Sequence, residues 1–379
     1  MKQCAHAWVA LRALKLLDDW GKEEKAKKVN KLVEMLSCYL ADVWDGALIP
    51  DTLLVDMSYG HVFKMDSDPN YVSKNLPNEK WFIKPVEELK TYLVGKRLCL
   101  DYIKDCEELK KPYRTHLEKG GHLPSRVIAL CQGIGDMLKM GDYPLAEHVK
   151  KKLPEKVKDA SNTDWSAEKI KNVVGWPNFS ARQIAMQFFI LAHYVTDAHM
   201  PLHCDLRDFT VGKKSDRRLP EALHPLIEEL WEDSFPVREN LALTRYSDKS
   251  LDEIVNTLPP DSLIEVNEKG SKYYLGNDVE KSRKGDEWNE MVYTARVSYA
   301  VARKWITADK DYNWWEKKIP KGKKGRTAKN ALGELVHSGK GLGDGRFVED
   351  FKDVTNRIFH DAVKSVARLW YRTWQKFVE

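Results

Sequence analysis

The sequence predicts an all-α fold in a single large helical domain, and three observations carry the prediction. Apolar residues recur at three- and four-residue spacing along most of the chain. No run alternates convincingly with period two, so strands are few. The longest periodic stretch, 347–377, sets Phe347, Phe351, Val354, Ile358, Val363, Val366, Trp370 and Trp374 along one broad face. The 379 residues suffice for one large domain or two ordinary ones with a substantial core. At 42% hydrophobic and 31% charged, the composition is that of a globular chain and excludes a disordered one.

Each element follows from the same periodicity. Residues 5–20 carry Trp8, Val9, Leu11, Leu14, Leu16, Leu17 and Trp20 on one face. Residues 23–44 carry Val29, Leu32, Val33, Leu36, Tyr39, Leu40 and Val43. Further helices are expected at 86–110, 124–139, 143–152, 180–199, 223–233 and 285–306. Residues 45–85 mix Gly, Pro, Asp and Asn and read as a long irregular excursion. Residues 317–346 are rich in Lys and Gly, and the run Lys317, Lys318, Lys321, Lys323, Lys324, Arg326, Lys329 reads as a solvated connector or as a phosphate-contacting arm. The 13 Trp residues belong mostly to helical faces and are expected in the core, although Trp-rich clefts also bind bases and lipid head groups.

Charge and cysteine usage bound the function loosely. Sixty-two basic residues against 57 acidic ones give a net charge of +5, which favours an anionic partner without identifying one. Cys4, Cys38, Cys99, Cys106, Cys131 and Cys204 form no CxxC pair and are expected as free thiols of a reducing compartment. The first residues lack a signal-peptide layout and no apolar run has the length of a membrane span. A cytoplasmic location is expected, or a secreted one if Met1 is an added start residue.

The chemistry centres on His193-Tyr-Val-Thr-Asp197-Ala-His199-Met-Pro-Leu-His203. His193 and Asp197 are one helical turn apart and leave the same face, an imidazole and a carboxylate suited to zinc. Pro201 disfavours further helix, so the bent chain can return His203 to the same cleft. His199, two residues past Asp197, points elsewhere and is at most a supporting residue. His224 and Glu228 repeat the four-residue spacing at the start of another helix, with Pro225 suited to its first turn; Glu229 is a poorer alternative. His6 opens the first helix, and Asp51 and His61 lie in the irregular excursion. An isolated His–Asp or His–Glu pair on a helix is more often a side-chain hydrogen bond than a metal site; the joint occurrence in this order carries the reading.

That order resembles the zinc-dependent bacterial phospholipases C and the related fungal and plant single-strand-specific nucleases, a family with an all-helical fold and three zinc ions. His6-Ala7-Trp8-Val9 is similar to the family's early His, Pro50-Asp51 to its Pro-Asp, and His61-Val62-Phe63 to the His-Phe that follows. His193, Asp197 and His203 reproduce the central His-x3-Asp-x5-His. His224 and Glu228 match the phospholipase form of the last element, whereas Asp-x-His-x-Pro-Leu-His is closer to the nucleases. The resemblance covers roughly residues 1–235.

The resemblance implies a trinuclear zinc cluster: one ion on Asp51, His61, His193 and Asp197; a second on His6 and Asp197 with the Met1 terminus as a further ligand; a third on His203, His224 and Glu228. It implies a phosphodiester hydrolase, phospholipase C-like, with Asp51 orienting or deprotonating the water. The alternatives are a single-strand-specific nuclease or nucleotidase, and a non-enzymatic helical binding protein with structural zinc. The substrate is accordingly a phospholipid head group or single-stranded nucleic acid. Family members begin with a Trp whose amine and carbonyl bind zinc; here Met1 stands five residues before His6, the spacing of the nucleases. The long interval between His61 and His193 implies a helical insertion over about 62–180, carrying the unassigned His116 and His122. The expected organisation is a hydrolase domain over 1–310, then a basic Gly/Lys loop and a C-terminal helix packing on it over 311–379.

Overall fold

A computed structural model of the chain describes residues 1–24, 27–54, 60–66, 80–83, 97–103, 106, 113–116, 121–140, 156–158, 164–166, 179–208, 223–233, 250–257, 287–305 and 346–378. The described part is mostly helical. Its helices are α1 (Gln3–Glu24), α2 (Lys27–Ser37), α3 (Asp42–Thr52), α4 (Leu98–Ile103), α5 (Leu123–Met140), α6 (Ala181–Asp197), α7 (Leu223–Asp233), α8 (Leu251–Thr257), α9 (Glu287–Trp305) and α10 (Arg346–Val378). Short strands of two to four residues make a three-stranded antiparallel sheet, β1 (Met65–Asp66), β3 (Tyr113–His116) and β2 (Lys80–Ile83) in that order, and a β4–β5 pair (Lys156–Lys158 with Asp164–Ser166).

The central element is α6. Ser180 caps its N-terminus: its Oγ accepts from the Gln183 amide at 3.2 Å while its own amide donates to Gln183 Oε1 at 2.9 Å. From Phe188 to Asp197 every side chain is buried, as expected of a helix surrounded on all sides. It packs against α1, α3, α5 and α10. Trp370 of α10 donates from Nε1 to the Phe188 carbonyl at 2.8 Å, so its polar edge is satisfied inside the core. Trp8, Trp231, Trp305, Trp370 and Trp374 are all fully buried, which assigns these five to packing rather than to an exposed cleft.

The packing of α6 on α3 needs one small residue. A Cβ on Gly46 would stand 2.3 Å from Phe189 Cβ, so glycine permits the close approach of the two helices. The α3 helix also corrects the sequence reading of an irregular excursion from residue 45. The chain stays helical through Pro50, whose ring removes only the donor to Gly46 in the final turn, and Asp51 therefore stands on a helix rather than in a loop.

Other expectations shift in extent. The predicted 23–44 helix is divided into α2 and α3 by a turn at 38–41, and 86–110 contains the six-residue α4, whose first two amides are capped by the Asp361 carboxylate at 2.9 and 3.0 Å. Helix α8 is not among the helices that the apolar periodicity predicts. Within the expected insertion, α5 packs on α6, α9 and α10, so that part of 62–180 belongs to the central helical packing. Helix α10 lies along α1. The expected 143–152 helix and the basic 317–329 run lie outside the described residues. Among the described residues no helix is long and apolar enough to cross a membrane. None of the six cysteines is disulfide-bonded.

Candidate metal centre

The site forms where α6 ends. Asp197 is its last residue, and Met200 is extended (φ −73°, ψ 112°) as the residue before a proline must be. A 3-10 turn over Pro201–Cys204 then bends the chain back, which brings His203 Nδ1 to 3.3 Å from Asp197 Oδ1. The return predicted from Pro201 is thus the path the backbone takes.

A second segment lies beside this turn. The Phe63 amide donates to the His203 carbonyl at 3.1 Å, and Met65 bridges Asp205 in parallel. His61 is carried into the cluster by this pairing. On its other side the Leu123 amide donates to the Val62 carbonyl at 3.3 Å, and the neighbouring Gly121 has φ +89°, where a Cβ would meet the Val62 oxygen at 2.0 Å. Glycine is needed there for backbone shape and space alike.

Asp197, 1% exposed, is the hub. Its Oδ2 pairs with His61 Nδ1 at 2.7 Å and lies 3.2 Å from His193 Nε2. Its Oδ1 accepts from the Met1 ammonium at 3.0 Å and lies 3.4 Å from His6 Nε2. The Met1 ammonium also sits 2.8 Å from Glu228 Oε1, and the Met1 carbonyl pairs with His6 Nε2 at 3.0 Å. Glu232, one turn after Glu228 on α7, accepts from the Cys4 amide at 3.0 and 3.1 Å and holds the start of α1 against α7. Asp51 enters from α3, its Oδ1 3.5 Å from His193 Nε2 and 3.7 Å from His61 Nδ1; with its side chain 31% exposed it forms the open edge of the cluster.

Among the described residues three groups of side chains present ligand atoms within 4.8 Å of one another: His6, Asp51 and His193; His61, His193 and Asp197; and His203, His224 and Glu228. Met1 apart, each residue of the sequence-predicted ligand set falls in one of them. The third group is the one the resemblance implies. The first differs in placing His6 with Asp51 and His193, whereas the resemblance pairs His6 with Asp197; the His6 ring stacks on His193 at 3.7 Å between centroids and stands within reach of both carboxylates.

The electrostatics describe a cluster of buried acids and imidazoles whose charges require compensation. Burial works against the Asp197 carboxylate, yet the Met1 ammonium, His203, His193 and His6 hold its pKa well below the ordinary range. Glu228 is likewise held down, against burial, by the same ammonium together with His203 and His224. Burial would lower His193, but Asp197 and Asp51 carry it up to about 9, and Asp208 and Glu228 raise His224 to about 9 in the same way. His6 is pushed well down by burial and by His193; His203 falls to about 4 through burial, with the Asp197 carboxylate opposing.

The donor set fits a metal. Among the described residues His6 Nδ1 has no hydrogen-bond partner and His203 Nδ1 has only its 3.3 Å ion-pair approach to Asp197, a costly state for a buried imidazole nitrogen unless something else engages the ring. His193 Nδ1 pairs with the Ala47 carbonyl at 2.8 Å, which fixes the ring and directs Nε2 at the carboxylates, the supporting contact that metal-binding imidazoles require. These buried His, Asp and Glu groups can hold metal ions.

His199 faces away from the cluster. Its Nδ1 pairs with the Val195 carbonyl at 2.8 Å, and its Nε2 meets Arg97 Nη1 at 3.2 Å and Ser365 Oγ at 3.1 Å. Lys64 and Asp208, absent from the sequence-predicted set, stand directly behind the third group. The one local cue is a lysine in the apolar company of Val62 and Phe63, three residues after His61. His116 lies on β3. Compared with protein-family models, curated proteins and solved structures, the chain shows no match.

Proposed function

We propose that this chain is a zinc-dependent phosphodiester hydrolase that uses three metal positions gathered around Asp197. The observation that supports the reading is the convergence of Met1, His6, Asp51, His61, His203, His224 and Glu228, from separate segments, on the His193–Asp197 turn of α6. Such convergence of buried acids and imidazoles is unfavourable unless cations compensate it. A set of imidazoles and carboxylates suits zinc. The assignment is one ion on Asp51, His61, His193 and Asp197, a second on His6, Asp197 and Met1, and a third on His203, His224 and Glu228. Zinc bound there supplies Lewis acidity to an anionic phosphate and lowers the pKa of a bound water to about 7. Asp197 spans the first two positions. Asp51, the most exposed carboxylate of the set, orients the attacking water and takes its proton.

The His224–Glu228 ending favours a phospholipase C-like substrate. A second reading, a single-strand nuclease or nucleotidase, is favoured by Asp197-Ala198-His199-Met200-Pro201-Leu202-His203, which is closer to the nucleases and whose turn carries His203 back to Asp197. A purely structural role for zinc fits less well, because among the described residues His203, His224 and Glu228 supply three ligands and structural sites are normally closed by four.

The test uses the purified, zinc-loaded chain on an activated aryl phosphodiester, on single-stranded oligonucleotides and on phosphatidylcholine vesicles. Turnover of the activated diester is expected, and the better natural substrate decides between the two readings. Cleavage of the oligonucleotide falls steeply with salt, whereas hydrolysis of the zwitterionic lipid does not. Zinc at all three positions with no turnover of any diester overturns the enzymatic reading.

A further inference from the structure

Behind the third ligand group lies a buried ion pair that takes no direct part in it. Asp208 closes a short 3-10 turn over Leu206–Asp208, five residues after His203, and its Oδ2 is shared by two partners. Lys64 Nζ donates to it at 2.9 Å, and His224 Nδ1 pairs with it at 2.9 Å. The far nitrogen of the same ring, His224 Nε2, lies 3.1 Å from Glu228 Oε1, beside His203 Nε2 at 3.4 Å from that oxygen. His224 is therefore aligned along one axis, with Asp208 at its back and the ligand group at its front.

Lys64 makes the arrangement more than a surface contact. It is 1% exposed and also donates to the Leu202 carbonyl, the residue next to His203. One buried ammonium thus ties the His61 segment to the turn that carries His203 and to the carboxylate that aligns His224. Burying a lysine is costly and requires full pairing. A hydrophobic residue would fill the same space without that cost, and what the pair adds is a fixed carboxylate at the back of His224.

We propose that Asp208, held by Lys64, is a positioning residue that fixes His224 in the tautomer with the proton on Nδ1, so that Nε2 binds metal, and that this pair sets the metal affinity of the His203–His224–Glu228 group alone. The inference rests on the metal-site reading above and adds to it two residues and a division of labour. A carboxylate accepting the imidazole's second N–H raises the basicity of the ligand nitrogen and prevents rotation of the ring. Lys64 keeps the carboxylate ionised and prevents it from turning into the ligand group as a competing acid.

The test compares zinc binding by the wild-type chain, Asp208→Asn and Lys64→Met, by chelator competition with metal counting, alongside circular dichroism and nitrogen-resolved NMR of the histidine rings. Zinc affinity at one position is expected to fall about 10- to 100-fold in Asp208→Asn, with the other two unchanged and helicity retained. Lys64→Met weakens the same position, and Asp208→Glu restores part of the affinity. In the zinc-loaded wild-type chain, NMR shows His224 protonated on Nδ1. Wild-type affinity at every position in Asp208→Asn, or His224 bound through Nδ1 in the wild-type chain, overturns the inference while leaving the metal-site reading intact. A wild-type chain that takes up no zinc overturns both.

Discussion

The Met1 amino nitrogen stands 3.0 Å from Asp197 Oδ1, across 196 positions of sequence, and the same ammonium is shared with Glu228. Burial opposes the charge, but Asp197 and Glu228 raise its pKa from 8.0 to about 11. The folded metal-free chain therefore keeps a proton that the unfolded chain releases between those values. Stability from this pair is complete below pH 8 and is lost as pH rises through 11, a span equivalent to roughly 4 kcal/mol. Urea unfolding in chelator at pH 7.5 and pH 10 checks it, with an N-acetylated chain losing the dependence. Equal pH profiles for the two chains would place the amine outside the cluster.

Asp197→Asn removes the one carboxylate that touches Met1, His6, His61, His193 and His203. Diester turnover is expected to fall to background and bound zinc to drop, while the zinc-treated chain keeps its helicity by circular dichroism. A well-folded Asn variant with full turnover rules out the proposed role of Asp197.

His199 is a buried neutral imidazole whose pKa falls to about 3, first through burial and then through the Arg97 guanidinium. Unfolding exposes it to its ordinary value of 6.5, so the unfolded chain binds the extra proton. Its share of stability is complete above pH 6.5 and is lost as pH falls towards 3. At pH 5 the loss is about 2 kcal/mol relative to pH 7. Denaturant midpoints for wild type and His199→Gln at both pH values measure it; the variant, which has no titrating ring, should lose that much less on acidification.

Gly46→Ala places a methyl group against Phe189. The overlap forces α3 away from α6 and should cost about 1–3 kcal/mol, read from the denaturant midpoint. It also disturbs the Ala47 carbonyl that aligns His193, so zinc binding at the position His193 serves should weaken together with stability. Unchanged zinc affinity in a destabilised variant would separate the packing role from the alignment of His193.

Much of the helical framework is legible in the sequence because local spacing encodes which residues share a face. The four-residue intervals His193–Asp197 and His224–Glu228, and the break at Pro201 that returns His203, are properties of the backbone within a turn or two. Local sequence points to a loop at Asp51 because Gly46 and Pro50 are helix-unfavourable by propensity. Tertiary packing overrides that preference, since only glycine lets α3 approach Phe189. Beyond the apolar neighbours of Lys64, nothing local marks Lys64, Asp208 or Glu232 as supports of the site. Their partners lie far along the chain, and Lys64–Asp208 is a pairing across 144 positions made by two irregular segments. Sequence alone thus determined the helical class and the candidate ligands that a single turn can align. The tertiary structure decided which of them meet, how the chain start enters, and which buried charges hold them, because those contacts arise from helix packing rather than from any interval in the sequence.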